Sequence, residues 1–185
     1  NTSIAAFVIK QDNLAEVDPG QVIPGTTTAA YRAVSGATTK GFEMELNGDL
    51  MPDWNLSASY NHSITKDADG KRINTVSPAN TVKLWNTYRL PGELDRLTVG
   101  GGMNWQSGIH FSATPAGLPG AVKARQDDYA VFDLMARYQV TDQLSATLNV
   151  NNVFDKKYLS ALDTTFYSGY YGDPRNVMLS TRYDF

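Results

Sequence analysis

The 185-residue sequence predicts an all-β fold, an antiparallel transmembrane β-barrel meander of about eight strands. Three observations predict it. Residues 176–185 alternate without a break and stop on an aromatic: Val177, Leu179, Thr181, Tyr183 and Phe185 take one face, while Asn176, Met178, Ser180, Arg182 and Asp184 take the other. Connections between alternating segments are short and long in strict turn. Trp54, Tyr88, Tyr138 and Tyr183 all lie on the apolar parity near the short connections or the C-terminus, where an interfacial girdle belongs.

Taken in order, the first segment, 4–11, is apolar on both parities, so its faces stay unassigned. Phe42, Met44, Leu46 and Leu50 then oppose Glu43, Glu45, Asn47 and Asp49. Trp54, Leu56, Ala58, Tyr60 and Ile64 oppose Asn55, Ser57, Ser59, Asn61 and Ser63, with His62 on the apolar parity. Val82, Leu84, Tyr88 and Leu90 oppose Thr81, Lys83, Thr87 and Arg89; Asn86 and Trp85 each stand on the wrong side. Residues 97–111 read as one strand that carries Ile109 and Phe111 on its apolar parity, and 130–140, 144–154 and 176–185 complete the series. Tight turns at 50–53, 90–93 and 140–143 use Pro, Gly and Asp. Long loops fall at about 12–29, 66–79, 112–128 and 155–174. Short periplasmic turns and long extracellular loops are the barrel pattern, which puts Phe185 and the tight turns on the periplasmic side.

Composition narrows the function. Hydrophobic residues make up 42% and no run approaches the ~20 apolar residues of a membrane helix, yet a barrel strand needs only every second residue apolar. A net charge of -3 gives no reason to expect nucleic acid. With no Cys, two His and scattered carboxylates, no metal cluster is expected. Gly100-Gly101-Gly102 sits inside a strand instead of opening a helix, so no nucleotide loop is read there. The N-terminus shows neither Met nor a signal-like apolar stretch, and the chain is expected to be a piece of a longer protein.

Asn149-Val150-Asn151-Asn152-Val153-Phe154-Asp155-Lys156-Lys157-Tyr158, then Tyr171-Gly172-Asp173-Pro174-Arg175-Asn176 and the alternation to Phe185, resemble the closing strands of a TonB-dependent outer-membrane receptor. Gly41-Phe42-Glu43-Met44-Glu45-Leu46 and Trp54-Asn55-Leu56-Ser57-Ala58-Ser59-Tyr60 resemble an earlier hairpin of the same barrels. Within that family the chain is most similar to ferric-siderophore receptors of the ferrioxamine, coprogen and pyoverdine type. The resemblance implies that residues 1–185 are the C-terminal part of a barrel of about 22 strands, without its plug domain. It also implies a place in the bacterial outer membrane, and uptake by binding and plug movement with no enzyme activity. The implied partners are a ferric siderophore, the protein's own plug, the TonB complex and outer-membrane lipid or lipopolysaccharide. No cofactor is implied, because iron arrives already chelated.

Candidate ligand contacts are His110, Phe111 and Arg125 around one long loop and Tyr158, Phe166, Tyr167, Tyr170 and Tyr171 in the last one, whose rings suit an amphipathic chelate. Trp54, Tyr88, Tyr138, Tyr183 and Phe185 are the expected girdle, and by resemblance the terminal strand is an insertion signal. The inward charges Glu43, Glu45, Asp49, Lys83, Arg89, Asp133, Arg137, Arg182 and Asp184 could hydrogen-bond a plug in the complete protein, but most are expected to pair across strands within the wall. Asp173 and Arg175 have no expected role beyond loop closure. A complete eight-stranded structural or adhesion barrel is the second reading, though its lumen would have to be filled by small residues such as Ser57, Ser59 and Thr147. An outer-membrane hydrolase is the third, and neither His has an evident Ser and carboxylate around it.

Overall fold

The computed structural model describes residues 1–34, 36–114 and 120–185. Its strands are β1 (Thr2–Gln11), β2 (Leu14–Val22), β3 (Ala29–Val34), β4 (Ala37–Met51), β5 (Trp54–Lys66), β6 (Arg72–Ile73), β7 (Asn80–Arg89), β8 (Leu97–Gln106), β9 (Ile109–Ala113), β10 (Val122–Gln126), β11 (Tyr129–Gln139), β12 (Leu144–Asn151), β13 (Leu159–Asp163), β14 (Ser168–Tyr171) and β15 (Asn176–Tyr183). One antiparallel sheet runs β1-β4-β5-β7-β8-β11-β12-β15, with β6 appended to β5, and each wall strand pairs with the next wall strand in the chain. This is the expected eight-strand meander. No ladder joins β1 to β15 among the described residues, so the sheet is an open wall and the closed small barrel is not supported.

Residues directly opposite one another in an antiparallel ladder share a face. The row Trp54, Tyr88, Val99, Ala136, Leu148, Leu179 and the row Ile4, Met44, Tyr60, Val82, Trp105, Ala130 therefore lie on one apolar side. Ser3, Glu45, Ser59, Lys83 and Asn104 lie on the other. Register also assigns the first strand: Ile4, Ala6 and Val8 face outward and Phe7 faces inward opposite Gly41. A Cβ on Gly41 would stand 2.5 Å from the Phe7 ring, so the glycine makes room for that aromatic.

The two misfits in 81–90 have the same kind of explanation. Trp85 faces inward over Gly102, where a Cβ would fall 2.5 Å from its Cε3 atom. Asn86 faces outward but donates Nδ2 to the Gly101 carbonyl at 2.9 Å, which closes its strongest donor against the lipid side. On the inward face, Asn61 donates to Glu43 at 2.8 Å, Asn55 to Asp49, and Asn104 to Asp133 at 3.4 Å. The expected pairing within the wall is present for these three carboxylates.

Tight turns close as expected: Asp53 takes a left-handed φ of 65°, Gly92 opens a 3₁₀ turn at Gly92–Leu94, and Thr141 Oγ1 accepts the Leu144 N–H at 3.0 Å. The reading of 97–111 as one strand is corrected. The wall ladder ends at Gln106, and Ser107-Gly108 passes the chain into a separate hairpin, β9–β10. Three of the four long loops likewise carry hairpins, β2–β3, β9–β10 and β13–β14, which stand beyond the wall as separate two-stranded sheets. The expected contour of 112–128 falls partly on 115–119, outside the described residues.

Candidate functional site

The extracellular rim holds a small core of its own. Ile109, Phe111 and Leu162 are buried there, with Val76, Val122, Ala124 and Leu159 packed around them. In β9–β10 the register sets Ile109, Phe111 and Ala113 opposite Gln126, Ala124 and Val122, whereas His110 and Ser112 are opposite Arg125 and Lys123. This hairpin is thus amphipathic, with a mostly apolar face turned to Leu162 and a polar face turned away. The connection 67–79 is tied on by Thr75, which accepts the His110 N–H at 2.9 Å and donates Oγ1 to the His110 carbonyl at 2.6 Å. Gln126 Oε1 accepts the Leu159 N–H at 2.8 Å and links β10 to β13.

That arrangement separates the sequence-predicted residues. His110 and Arg125 are neighbours on the exposed face, and Arg125 pairs with Asp127 at 2.6 Å with both side chains mostly exposed, a pairing worth little. Phe111 is only 5% exposed, so the structure makes it a packing residue, not an open contact; strand parity had placed it with the lipid-facing set because the break at Ser107-Gly108 was not read. Tyr167, at φ 54°, sets its ring 6.3 Å from that of Phe111 and roofs the same core. Phe166, Tyr170 and Tyr171 are open, at 77%, 57% and 81% exposure.

The turn between β13 and β14 is organised by Asp163. Its Oδ1 accepts the N–H groups of Thr165 (2.7 Å) and Phe166 (3.2 Å), and its Oδ2 accepts the Tyr170 hydroxyl at 3.2 Å. Those bonds, the Thr165 N–H foremost, hold the Asp163 carboxyl below its ordinary range. The carboxylate in turn pushes the Tyr170 phenol up.

Tyr158 lies away from that turn. Its ring stacks at 4.3 Å on Tyr129, a residue the sequence reading did not single out, at the upper edge of a cavity of about 410 Å³ on the inward face. Lys83, Asn104, Gln106, Asp133 and Asp173 line the same cavity. Burial, then the carboxylates of Asp173 and Asp133, raise the Tyr158 phenol. The stacked rings and the ring of polar groups make a surface able to contact a polar solute or a protein segment inside the lumen.

Asn152 explains the motif on which the resemblance rests. It is 3% exposed, has φ 50°, donates Nδ2 to the carbonyls of Lys156 (2.9 Å) and Asp173 (3.0 Å), and accepts the Lys156 N–H at 2.8 Å. Its own N–H goes to Asp133 at 2.8 Å. Gly172 is required beside it, since a Cβ there would come 2.0 Å from Tyr158 Cζ. Asp155 accepts the Arg175 N–H at 3.0 Å. The two stretches are a clasp that holds the ends of the last loop together, and the main chain of Asp173 and Arg175 takes part in that closure. The signal available in sequence was a run of Asn at a strand end, and a buried amide was needed to interpret it.

Trp54 and Tyr88 are direct partners with rings 6.3 Å apart on the apolar side, and Tyr138 and Tyr183 share that side beside the remaining turns. Tyr183 donates its hydroxyl to Gln143 at 3.1 Å and meets the Phe185 ring edge-on at 5.2 Å. Among the described residues no group of His, Cys, Asp and Glu could hold a metal ion.

Comparison with known proteins places this wall. A family described as TonB dependent receptor-like, beta-barrel, matches residues 1–153. The chain is 47% identical over its whole length to the ferric-pyoverdine 358 receptor of Pseudomonas putida and 45% identical to the ferripyoverdine receptor of Pseudomonas aeruginosa. It spans 22% and 23% of the length of those relatives. The crystal structure of the latter's outer-membrane receptor bound to ferripyoverdine superposes with a TM-score of 0.88, 44% identity, and coverage of 100% of this chain and 25% of that one. The siderophore receptor PiuA from Acinetobacter baumannii gives a TM-score of 0.73 at 25% identity, with coverage of 98% and 26%. The open outer-membrane wall, its lumenal polar face and its clasped rim belong to a member of the TonB-dependent receptor β-barrel family.

Proposed function

We propose that this chain is the C-terminal part of the barrel domain of a receptor that takes up a ferric siderophore of the pyoverdine class. In this reading a plug domain elsewhere in the protein closes the lumen and couples to TonB. The wall contributes polar contacts to the plug, and the rim contributes contacts to the chelate. One observation carries the reading: the last extracellular hairpin presents Phe166, Tyr170 and Tyr171 as open rings on a turn already ordered by Asp163. A turn ordered before binding, with the Tyr170 hydroxyl already held by Asp163, loses less backbone freedom when its rings meet the methylene and amide surface of a chelate. Arg125 and His110 on the neighbouring hairpin supply a polar flank for an anionic group. Iron enters as part of the cargo, and the residues needed are contacts, not ligands.

The test is calorimetric titration of the full-length receptor with ferric pyoverdine. Alanine at Phe166, Tyr170 and Tyr171 together is expected to weaken binding by about 1–3 kcal/mol for each true contact while the barrel still assembles. A folded triple variant with unchanged affinity would assign these rings to loop packing.

A further inference from the structure

We propose that Tyr129 and Tyr158 are an oxidative modification site, at which a small one-electron oxidant joins the two rings covalently and staples the base of the last extracellular loop to the wall. Tyr129 opens β11 and Tyr158 stands just before β13. Their ring centroids are 4.3 Å apart at an interplanar angle of 32°. Stacked aromatic pairs usually stand about 4.5–7 Å apart, so these rings are at the near limit of contact. Theirs is also the one contact between two tyrosine rings among the described residues. Tyr170 and Tyr171 are far more open, but as consecutive residues of β14 they leave opposite faces of the strand, and neither packs on another ring among the described residues.

Packing keeps the pair together. The Tyr158 ring fills the space that a side chain at 172 would take, since a Cβ there would fall 2.0 Å from its Cζ, and the Gly172 N–H donates to the Tyr158 carbonyl at 2.9 Å. Tyr129 is only 9% exposed, yet neither phenol hydroxyl bonds a described residue. Both residues line the inward cavity of about 410 Å³ with Lys83, Asn104, Asp133 and Asp173, a polar space that admits water and equally small oxidants. The chain has no Cys to intercept an oxidant first. The oxidant class is the carbonate radical anion, which peroxide and hydrogencarbonate yield at iron. Each of two such radicals takes one electron and one proton from one phenol and leaves as hydrogencarbonate. The two phenoxyl radicals then couple through ring carbons next to the oxygen-bearing carbons. The hydrogens on those carbons pass to the oxygens, so that both phenols are restored and the pair has lost two hydrogens in all. Supply of the radical by iron in the cargo rests on the uptake reading, whereas the coupling itself rests on the stacked rings.

The experiment is radiolysis of the full-length receptor in detergent, in hydrogencarbonate buffer saturated with nitrous oxide to supply carbonate radicals, followed by tryptic digestion and mass spectrometry. Peptide 126–137 holds Tyr129 as its one tyrosine, and peptide 158–175 holds Tyr158, Tyr167, Tyr170 and Tyr171, so fragmentation of the linked pair identifies the partner. The wild type and Y170F/Y171F are expected to give a Tyr129–Tyr158 link, lighter by two hydrogens than the sum of the peptides, in a yield independent of receptor concentration. Y129F and Y158F keep the stacked rings but remove one phenol, and each should lose the link. Linkage of Tyr129 to Tyr167, Tyr170 or Tyr171 instead, oxygen addition to Tyr129 and Tyr158 without a link, a link from Tyr129 that survives in Y158F, or a yield that falls on dilution would each overturn the proposal. Should the phenylalanine variants fail to insert, the wild-type peptide map and its dilution series still decide it.

Discussion

At the residue scale, the clasp is where single substitutions should be felt most. Asn152→Ala removes three side-chain hydrogen bonds from a buried site and leaves the carbonyls of Lys156 and Asp173 short of a donor. We expect a loss of about 2–4 kcal/mol, with heat-modifiable gel mobility of the receptor as the readout. Gly172→Ala should displace Tyr158 and have a comparable effect, whereas Asp155→Asn, which keeps an acceptor, should be mild. At the C-terminus, Tyr183→Asp or Phe185→Asp should lower outer-membrane yield far more than Arg182→Ala. The direct penalty of a carboxylate near the interface is only roughly 0–1 kcal/mol, so a large effect would mark the aromatic strand as an insertion signal. Equal yields from all three variants would remove that role.

At the element scale, the β13–β14 hairpin should carry a pH dependence. Asp163 has its carboxyl held below the ordinary value of 3.8 by the Thr165 and Phe166 N–H groups, so its contribution is complete above that value and disappears as pH falls through the lowered one. Tyr170 shows the opposite sense: its bond to Asp163 is intact below the ordinary phenol value of 10.0 and is lost as pH rises through the raised one. Amide protection at Thr165 and Phe166 should therefore persist at neutral pH and collapse in strong acid, and Asp163→Asn, which keeps an acceptor oxygen but does not titrate, should abolish that acid step. The wall strands were legible because lipid on one side and a polar lumen on the other force a period of two. The β9–β10 and β13–β14 hairpins were not, since a two-stranded unit of four or five residues leaves too short a pattern, and β9 continued the parity of β8 across Ser107-Gly108. Likewise His110 and Arg125 were legible as neighbours of one loop, but only the ladder shows that they stand directly opposite each other.

At the scale of the whole molecule, the open edges of β1 and β15 leave rows of backbone donors and acceptors unpaired among the described residues. The isolated chain refolded in detergent should associate through these edges; sedimentation that shows a stable monomer would contradict this. Three extracellular segments, by contrast, are joined above the wall: Val76, the β9–β10 hairpin and Leu162 contribute to one buried cluster. Such a cluster has a single melting event, because exposing Ile109 also strips Leu162 and Val76 of their neighbours. A protease that cuts one of these segments should therefore make all three vulnerable at once, so that limited digestion yields a cascade of cleavages at the rim while the wall below remains intact.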